Sequence, residues 1–318
     1  MRDAKAVIRF ARDIALCLAL GAASRKRSAP SFLGEHQELA VTRGEGDATP
    51  IPKKIWMFWH DVEPPPMVEA AVRRVRALNP DHVVTLLNKD TLTQFIDAPY
   101  MGRPDIGMAA KSDLIRLDLL QAHGGVWVDA TCIFFENLDW VHEAKARQAA
   151  DLIAYYRDRS TTNFARPVIE SWFLAAAPQN GFITAWRKEL GQIESLGFDG
   201  YFKAVSARAD YEDIKQKIDL PSYLLIYLAE QIVMKDRPEF TFFLRRSESS
   251  AFLYHDTLRW DYRRIASTLC FMKTPSTPPP VVKLVKGDRT FIPLFIRHKL
   301  ARRDSIIGGL VGSQAPAA

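Results

Sequence analysis

Between Ala109 and Asp129 the chain carries a pattern that few folds can use. Ala110, Leu114, Leu117 and Leu120 recur at helical spacing and predict a helix from about Ala109 to His123. Gly124-Gly125 stops it, because the left-handed backbone that closes a helix favours glycine. Val126-Trp127-Val128 follows as an unbroken apolar run, reads as a buried strand, and ends on Asp129. A helix turning on two glycines into a buried strand belongs to an α/β fold with a largely parallel sheet, where ligands bind beyond the carboxyl ends of the strands. Asp129 stands at such an end, placed to meet a metal or a sugar hydroxyl. On the preceding helix Asp113 and Arg116 are three residues apart and so share a face. As a surface ion pair they would contribute about 0.3–0.5 kcal/mol. Their position ahead of the glycine turn instead suggests a binding pair: a guanidinium for a diphosphate and a carboxylate for sugar or ribose hydroxyls.

The flanking sequence continues the alternation. Ile55 to Trp59 is a short aromatic strand behind Ile51-Pro52, Met67 to Leu78 a helix closed by Asn79-Pro80-Asp81, and Val83 to Leu87 a second strand. Thr91 to Ile96 predicts a short helix, Cys132 to Phe135 a further strand, and Tyr223 to Met234 a helix whose Glu230 and Gln231 could face an acceptor. Phe252-Leu253-Tyr254 reads as an aromatic strand ending at His255. Residues 24–50 lack periodicity and read as a linker, Thr274 to Pro280 as a stiff extended one, and the end from Gln314 as disordered. The expected organisation is a basic amphipathic segment and linker over residues 1–50, one domain over 51–290, and a basic tail over 291–318.

Composition narrows the function. Forty-three Lys and Arg against thirty-seven Asp and Glu give a net charge of +6, which suits a phosphate-bearing ligand or an anionic surface. No helix-turn-helix, zinc-finger or RNP-type pattern accompanies that charge, so nucleic acid is not expected as a partner. Three cysteines without CxxC spacing argue against a disulfide framework or structural zinc, and fit a reducing, cytoplasmic compartment. Ile14 to Ala23 is apolar but about half the roughly 20 residues a membrane span needs. With Val7, Ile8 and Leu18 it predicts an amphipathic helix, lying either on the inner face of the cell membrane or on the domain itself.

The run Ala109-Ala110-Lys111-Ser112-Asp113-Leu114-Ile115-Arg116, then Gly124-Gly125-Val126-Trp127-Val128-Asp129-Ala130-Thr131 and Leu138-Asp139, resembles the DXD-type sugar-binding glycosyltransferases, and most nearly the capsular polysaccharide synthesis proteins. Weaker likenesses lie at Ile51 to Trp59, Ser171-Trp172-Phe173 and Lys283-Leu284. The resemblance implies a GT-A-like nucleotide-sugar-binding fold with a mostly parallel central sheet. It also implies hexose transfer, usually retaining, from a nucleotide diphosphate sugar (UDP-hexose above all) to a glycan or lipid-linked acceptor in surface polysaccharide synthesis. It assigns Asp113 and Arg116 to sugar and diphosphate, Trp59 to the base, and Asp129 to the first DXD carboxylate. Lys283 and Arg289 lie in a basic segment that would close over the diphosphate. A Mn²⁺ or Mg²⁺ ion would rest on Asp129, Thr131 and, by analogy with late histidines in such enzymes, His255. Thr131 departs from the pattern, because it offers a neutral oxygen where a carboxylate is usual. That departure keeps a second reading open, a non-catalytic nucleotide-sugar- or glycan-binding scaffold of the same fold.

Overall fold

The computed structural model describes residues 2–312, so the segment from Gln314 lies outside the described residues. Nine strands are formed among them: β1 (Glu38–Val41), β2 (Lys54–Phe58), β3 (Val83–Leu87), β4 (Gly125–Val128), β5 (Cys132–Phe134), β6 (Leu152–Tyr156), β7 (Ile169–Ala176), β8 (Phe242–Arg246) and β9 (Val281–Lys283). Seven make the main sheet in the order β1-β8-β6-β7-β4-β2-β3, and β5 pairs with β9 in a small antiparallel sheet. β2, β3, β4, β6 and β8 run one way, and only β7 and β1 oppose them. The α/β class with a mostly parallel sheet is therefore present, with β7 as an antiparallel insertion between β4 and β6.

Alternation along the strands builds two cores. Trp56, Phe58 and Trp127 point to one face, where they meet the helices Met108–His123, Gly181–Leu190 and Leu225–Asp236. Ile55, Met57, Val126 and Val128 point to the other, against the helix Pro66–Leu78. β4 is buried along its whole length, which is why its sequence is apolar without interruption. The glycine turn behind it is obligatory. Gly124 and Gly125 have φ of +60° and +101°, and a Cβ on Gly125 would stand 2.6 Å from the Lys54 carbonyl oxygen.

Three expectations are corrected, and the N-terminal helix takes one of its two expected places, on the domain itself. The stretch 24–50 is no plain linker, since Glu38–Val41 pairs with β8 as an edge strand too short to show a period. The 291–318 segment is no solvated basic arm through its described part. Its helices Ile292–Arg297 and Ile306–Gly312 bury Ile292, Phe295, Ile306 and Ile307 in a third core with Cys17, Ile265 and Leu269. The helix Arg2–Ser24 docks on this core, placing Cys17 inside and Gly21 against the Phe271 ring. Finally, Phe252-Leu253-Tyr254 is not a strand. The chain turns at Ser247–Ser250, where the Ser250 and Phe252 amides donate back to the Ser247 carbonyl, and enters the helix Leu253–Thr257.

Candidate active site

A cavity of about 700 Å³ opens at the carboxyl ends of β4 and β6 and the amino end of β7. Six cationic side chains line it (Arg116, Arg157, Arg159, Lys283, Lys286 and Arg289) against four carboxylates, Asp113, Asp129, Glu170 and Asp219.

Arg116 is its keystone. The helix Met108–His123 carries Arg116 almost fully buried, where Nη1 meets Asp113 Oδ1 at 2.8 Å and also bonds the Ser171 hydroxyl. Nη2 reaches Asp129 Oδ1 at 3.3 Å. One guanidinium thus joins a helix carboxylate to the carboxylate that ends β4. Trp127 sits in the core as expected of a mid-strand residue, yet its indole Nε1 donates to Asp129 Oδ1 at 3.0 Å. The other Asp129 oxygen, Oδ2, accepts from Lys283 Nζ at 2.7 Å. Burial pushes Asp129 up, but Lys283 and Arg116 outweigh it and hold the carboxyl below its ordinary range. Asp113 behaves oppositely: burial raises it to about 6, with Arg116 opposing and the Asp129 charge adding.

Lys283 is fixed by strand register, since β9 sets it opposite Cys132 of β5. Its ammonium also donates to Thr131 Oγ1 at 3.1 Å, while the Thr131 hydroxyl donates to the Leu284 carbonyl at 3.0 Å. Thr131 is buried and does not line the cavity. His255 is wholly buried too, with Nε2 at 2.7 Å from Asp288 Oδ2, an oxygen that also accepts from the Val285 amide. The pair braces the 284–289 segment from behind. The three residues expected to hold a divalent cation are therefore not gathered as a ligand set. Thr131 and His255 are committed elsewhere, and both Asp129 oxygens are taken by nitrogen donors. Among the described residues no cluster of three His, Cys, Asp or Glu side chains could hold a metal ion. The donor set does not fit one.

Trp59 does not line the cavity either. Arg289, which does, lies over its ring at 5.8 Å. Glu230 and Gln231 are fully buried away from it, Glu230 accepting from the Ile169 amide at the start of β7.

Sequence reasoning missed the opposite wall. Glu170, on β7, accepts from Tyr227 at 2.7 Å and from Arg157 at 3.3 Å, and Arg157 Nε lies 3.4 Å from Glu248. Burial raises the Glu170 carboxyl, with Arg157 opposing. Trp260 completes this wall beneath Arg157 at 4.4 Å. These residues come from five separate segments, and the only local signal was a glutamate and a serine at the start of a buried, largely apolar strand.

A family model described as capsular polysaccharide synthesis protein matches residues 34–192, half of the chain, and the chain belongs to that family. It is similar to the O-glycosyltransferase braB of Annulohypoxylon truncatum, 29% identical over 154 residues, which is 42% of this chain and 36% of that protein. It is also similar to the glycosyltransferase afumC of Aspergillus fumigatus (strain CBS 144.89 / FGSC A1163 / CEA10), 39% identical over 61 residues, 19% of this chain and 15% of that one. The matches thus span about a third or less of each relative. Among solved structures, the PaToxG glycosyltransferase aligns over 96% of this chain and 97% of its own, at 12% identity and a TM-score of 0.35. The UDP-bound glycosyltransferase domain of the YGT toxin aligns over 85% of this chain and 95% of its own, at 9% identity and a TM-score of 0.40.

Proposed function

We propose that the protein is a glycosyltransferase that takes a hexose from a nucleotide diphosphate sugar, a UDP-hexose foremost, and passes it to a glycan or lipid-linked acceptor in surface polysaccharide synthesis. The observation that carries this reading is the Asp113–Arg116–Asp129 bridge at the mouth of β4, inside a cavity with more cations than carboxylates. Family membership and the two named relatives support it. The diphosphate would lie along Arg116, Lys283 and Arg289, and the sugar hydroxyls against Asp113 and Glu170. Fixed positive groups aimed at the departing diphosphate stabilise the charge that develops as the anomeric bond breaks, with no reorganisation at that moment. Against the scaffold reading stands the occupation that Thr131 has here, as an acceptor for Lys283.

The test is a donor screen. Purified protein is incubated with UDP-, GDP- and dTDP-sugars and a panel of acceptor glycans, and nucleotide release is followed. One donor should be consumed, and Asp129→Ala should reduce the rate per folded molecule at least about 100-fold, beyond the loss of stability that uncovering Arg116 and Lys283 brings. Turnover by the variant at the wild-type rate would remove the site assignment.

The anionic membrane surface belongs to the same proposal. No helix among the described residues is long and apolar enough to cross a membrane. The helix Arg2–Ser24 nevertheless leaves Val7, Ile8 and Phe10 exposed beside Lys5, Arg9 and Arg12, a composition suited to the inner face of a membrane carrying a lipid-linked acceptor. Flotation with phosphatidylserine vesicles, lost in Ile8→Glu and absent with neutral lipid, is the expected result.

A further inference from the structure

We infer that the Lys283 ammonium takes the place of a divalent cation at Asp129, so that the nucleotide diphosphate is bound by protein cations alone. The inference rests on the glycosyltransferase reading and adds to it the identity of the group that meets the leaving diphosphate.

Three independent observations converge. The first is position. Lys283 Nζ lies 2.7 Å from Asp129 Oδ2 and 3.1 Å from Thr131 Oγ1, between the two side chains that would otherwise offer oxygens to a metal. The second is rigidity. Lys283 is no surface lysine that happens to reach the site, for the β5–β9 ladder holds its backbone, and its own neighbour Leu284 accepts both the Thr131 hydroxyl at 3.0 Å and the ammonium at 3.3 Å. The hydroxyl at position 131 gives that long side chain a neutral acceptor, whereas a second carboxylate would compete with Asp129 for the ammonium. The third is surplus charge. Arg289 is half-buried on the same wall, where burial lowers its affinity for its proton, and Lys286 and Arg116 line the cavity with it. A cavity wall with more cations than carboxylates attracts an anion, and a diphosphate brings more than one negative charge.

In the transfer step the bond from the anomeric carbon to the β-phosphate oxygen breaks, with its electron pair remaining on that oxygen. The bond to the acceptor oxygen forms, and the acceptor proton passes to the departing phosphate or to solvent. Lys283, drawn from Asp129 toward the diphosphate, stabilises the charge left on the leaving oxygen and needs no co-reactant.

The experiment is calorimetric titration of the full chain with uridine, guanosine and thymidine diphosphates, each in EDTA and in excess Mn²⁺. The diphosphate that binds should do so with affinities within about threefold in the two media, and Lys283→Met should weaken it at least about tenfold in EDTA. The matching nucleoside without phosphates should bind wild type and variant alike, which separates loss of phosphate contact from loss of fold. Mn²⁺ should recover part of the variant's loss, because Asp129 Oδ2 is then free. Lys283→Arg should bind in EDTA as the wild type does, within about threefold. Wild-type affinity that rises more than about tenfold with Mn²⁺ would overturn the inference and leave the glycosyltransferase reading standing. Binding of no diphosphate in either medium would overturn both.

Discussion

At the scale of single residues the site is governed by one guanidinium shared between two carboxylates. Removing a partner from a buried charge pair is destabilising by about 3–5 kcal/mol, because the charge left behind keeps its burial cost and loses its compensation. Arg116→Ala leaves Asp113 and Asp129 facing each other, so it should lose transfer and also lower stability by about that amount. Arg116→Lys, which offers one point charge instead of a fork, should recover stability more than activity. Equal losses in both variants, measured by urea denaturation beside the donor assay, would mean that the fork geometry is irrelevant. Asp113 adds a pH signature. Its carboxyl is raised to about 6 in the fold by burial. Between about pH 4 and pH 6 the folded chain therefore keeps a proton that the unfolded chain has released, and stability contributed at this residue falls as pH rises through that window. Asp113→Asn cannot lose that proton. Its stability relative to wild type should climb from pH 4 to pH 6 by about 2–3 kcal/mol and level off above. A difference that stays flat with pH would place the titration elsewhere.

At the scale of elements, the legible parts are those whose cause is local. The helix Met108–His123, the Gly124-Gly125 turn and β4 follow from apolar spacing and a backbone that only glycine tolerates. Asp113, Arg116, Asp129 and Lys283 all line the cavity. What was not legible depends on distant partners. β1 is a strand only because β8 offers an edge, and His255 is a brace only because Asp288 lies beneath the same core. Glu170 faces a cavity whose far wall is built by Tyr227 and Arg157. Burial by long-range packing leaves no period in the sequence, and Trp59, which the resemblance assigns to the base, is half-buried under Arg289. The glycine turn offers an element-scale prediction. Gly125→Ala sets a Cβ against the Lys54 carbonyl at a positive φ, and it should cost at least about 1–3 kcal/mol. The same variant should impair transfer beyond its effect on stability, since β4 begins at this turn and ends at Asp129. Full activity per folded molecule would show that the turn sets stability alone.

Across the whole molecule, the two chain ends support the cavity from outside. The third core joins the helix Arg2–Ser24 to the helices Tyr262–Phe271 and Ile292–Arg297. Phe291, which directly follows the Asp288–Thr290 turn, stacks on Phe10 at 5.6 Å and on Tyr262 at 6.2 Å. The segment that carries Lys286 and Arg289 into the cavity is thus anchored through an aromatic stack to the N-terminal helix. Gly21 controls that anchorage, because a Cβ there would stand 2.4 Å from the Phe271 ring, itself held by Phe295 at 5.0 Å. A valine at position 21 must push the helix away. Two buried cysteines report the outcome, since Cys17 on the helix and Cys270 beneath it are sealed in the same core, where burial raises the Cys17 thiol to about 11. Native wild type should resist thiol labelling at all three cysteines. Gly21→Val should label at Cys17 and Cys270 while Cys132, behind the Asp129 turn, stays protected. Donor affinity should fall in step with that labelling, because Arg289 loses its support when the stack opens. Labelling of Cys17 and Cys270 with unchanged donor affinity would separate the terminal core from the cavity and confine the N-terminal helix to holding that core together.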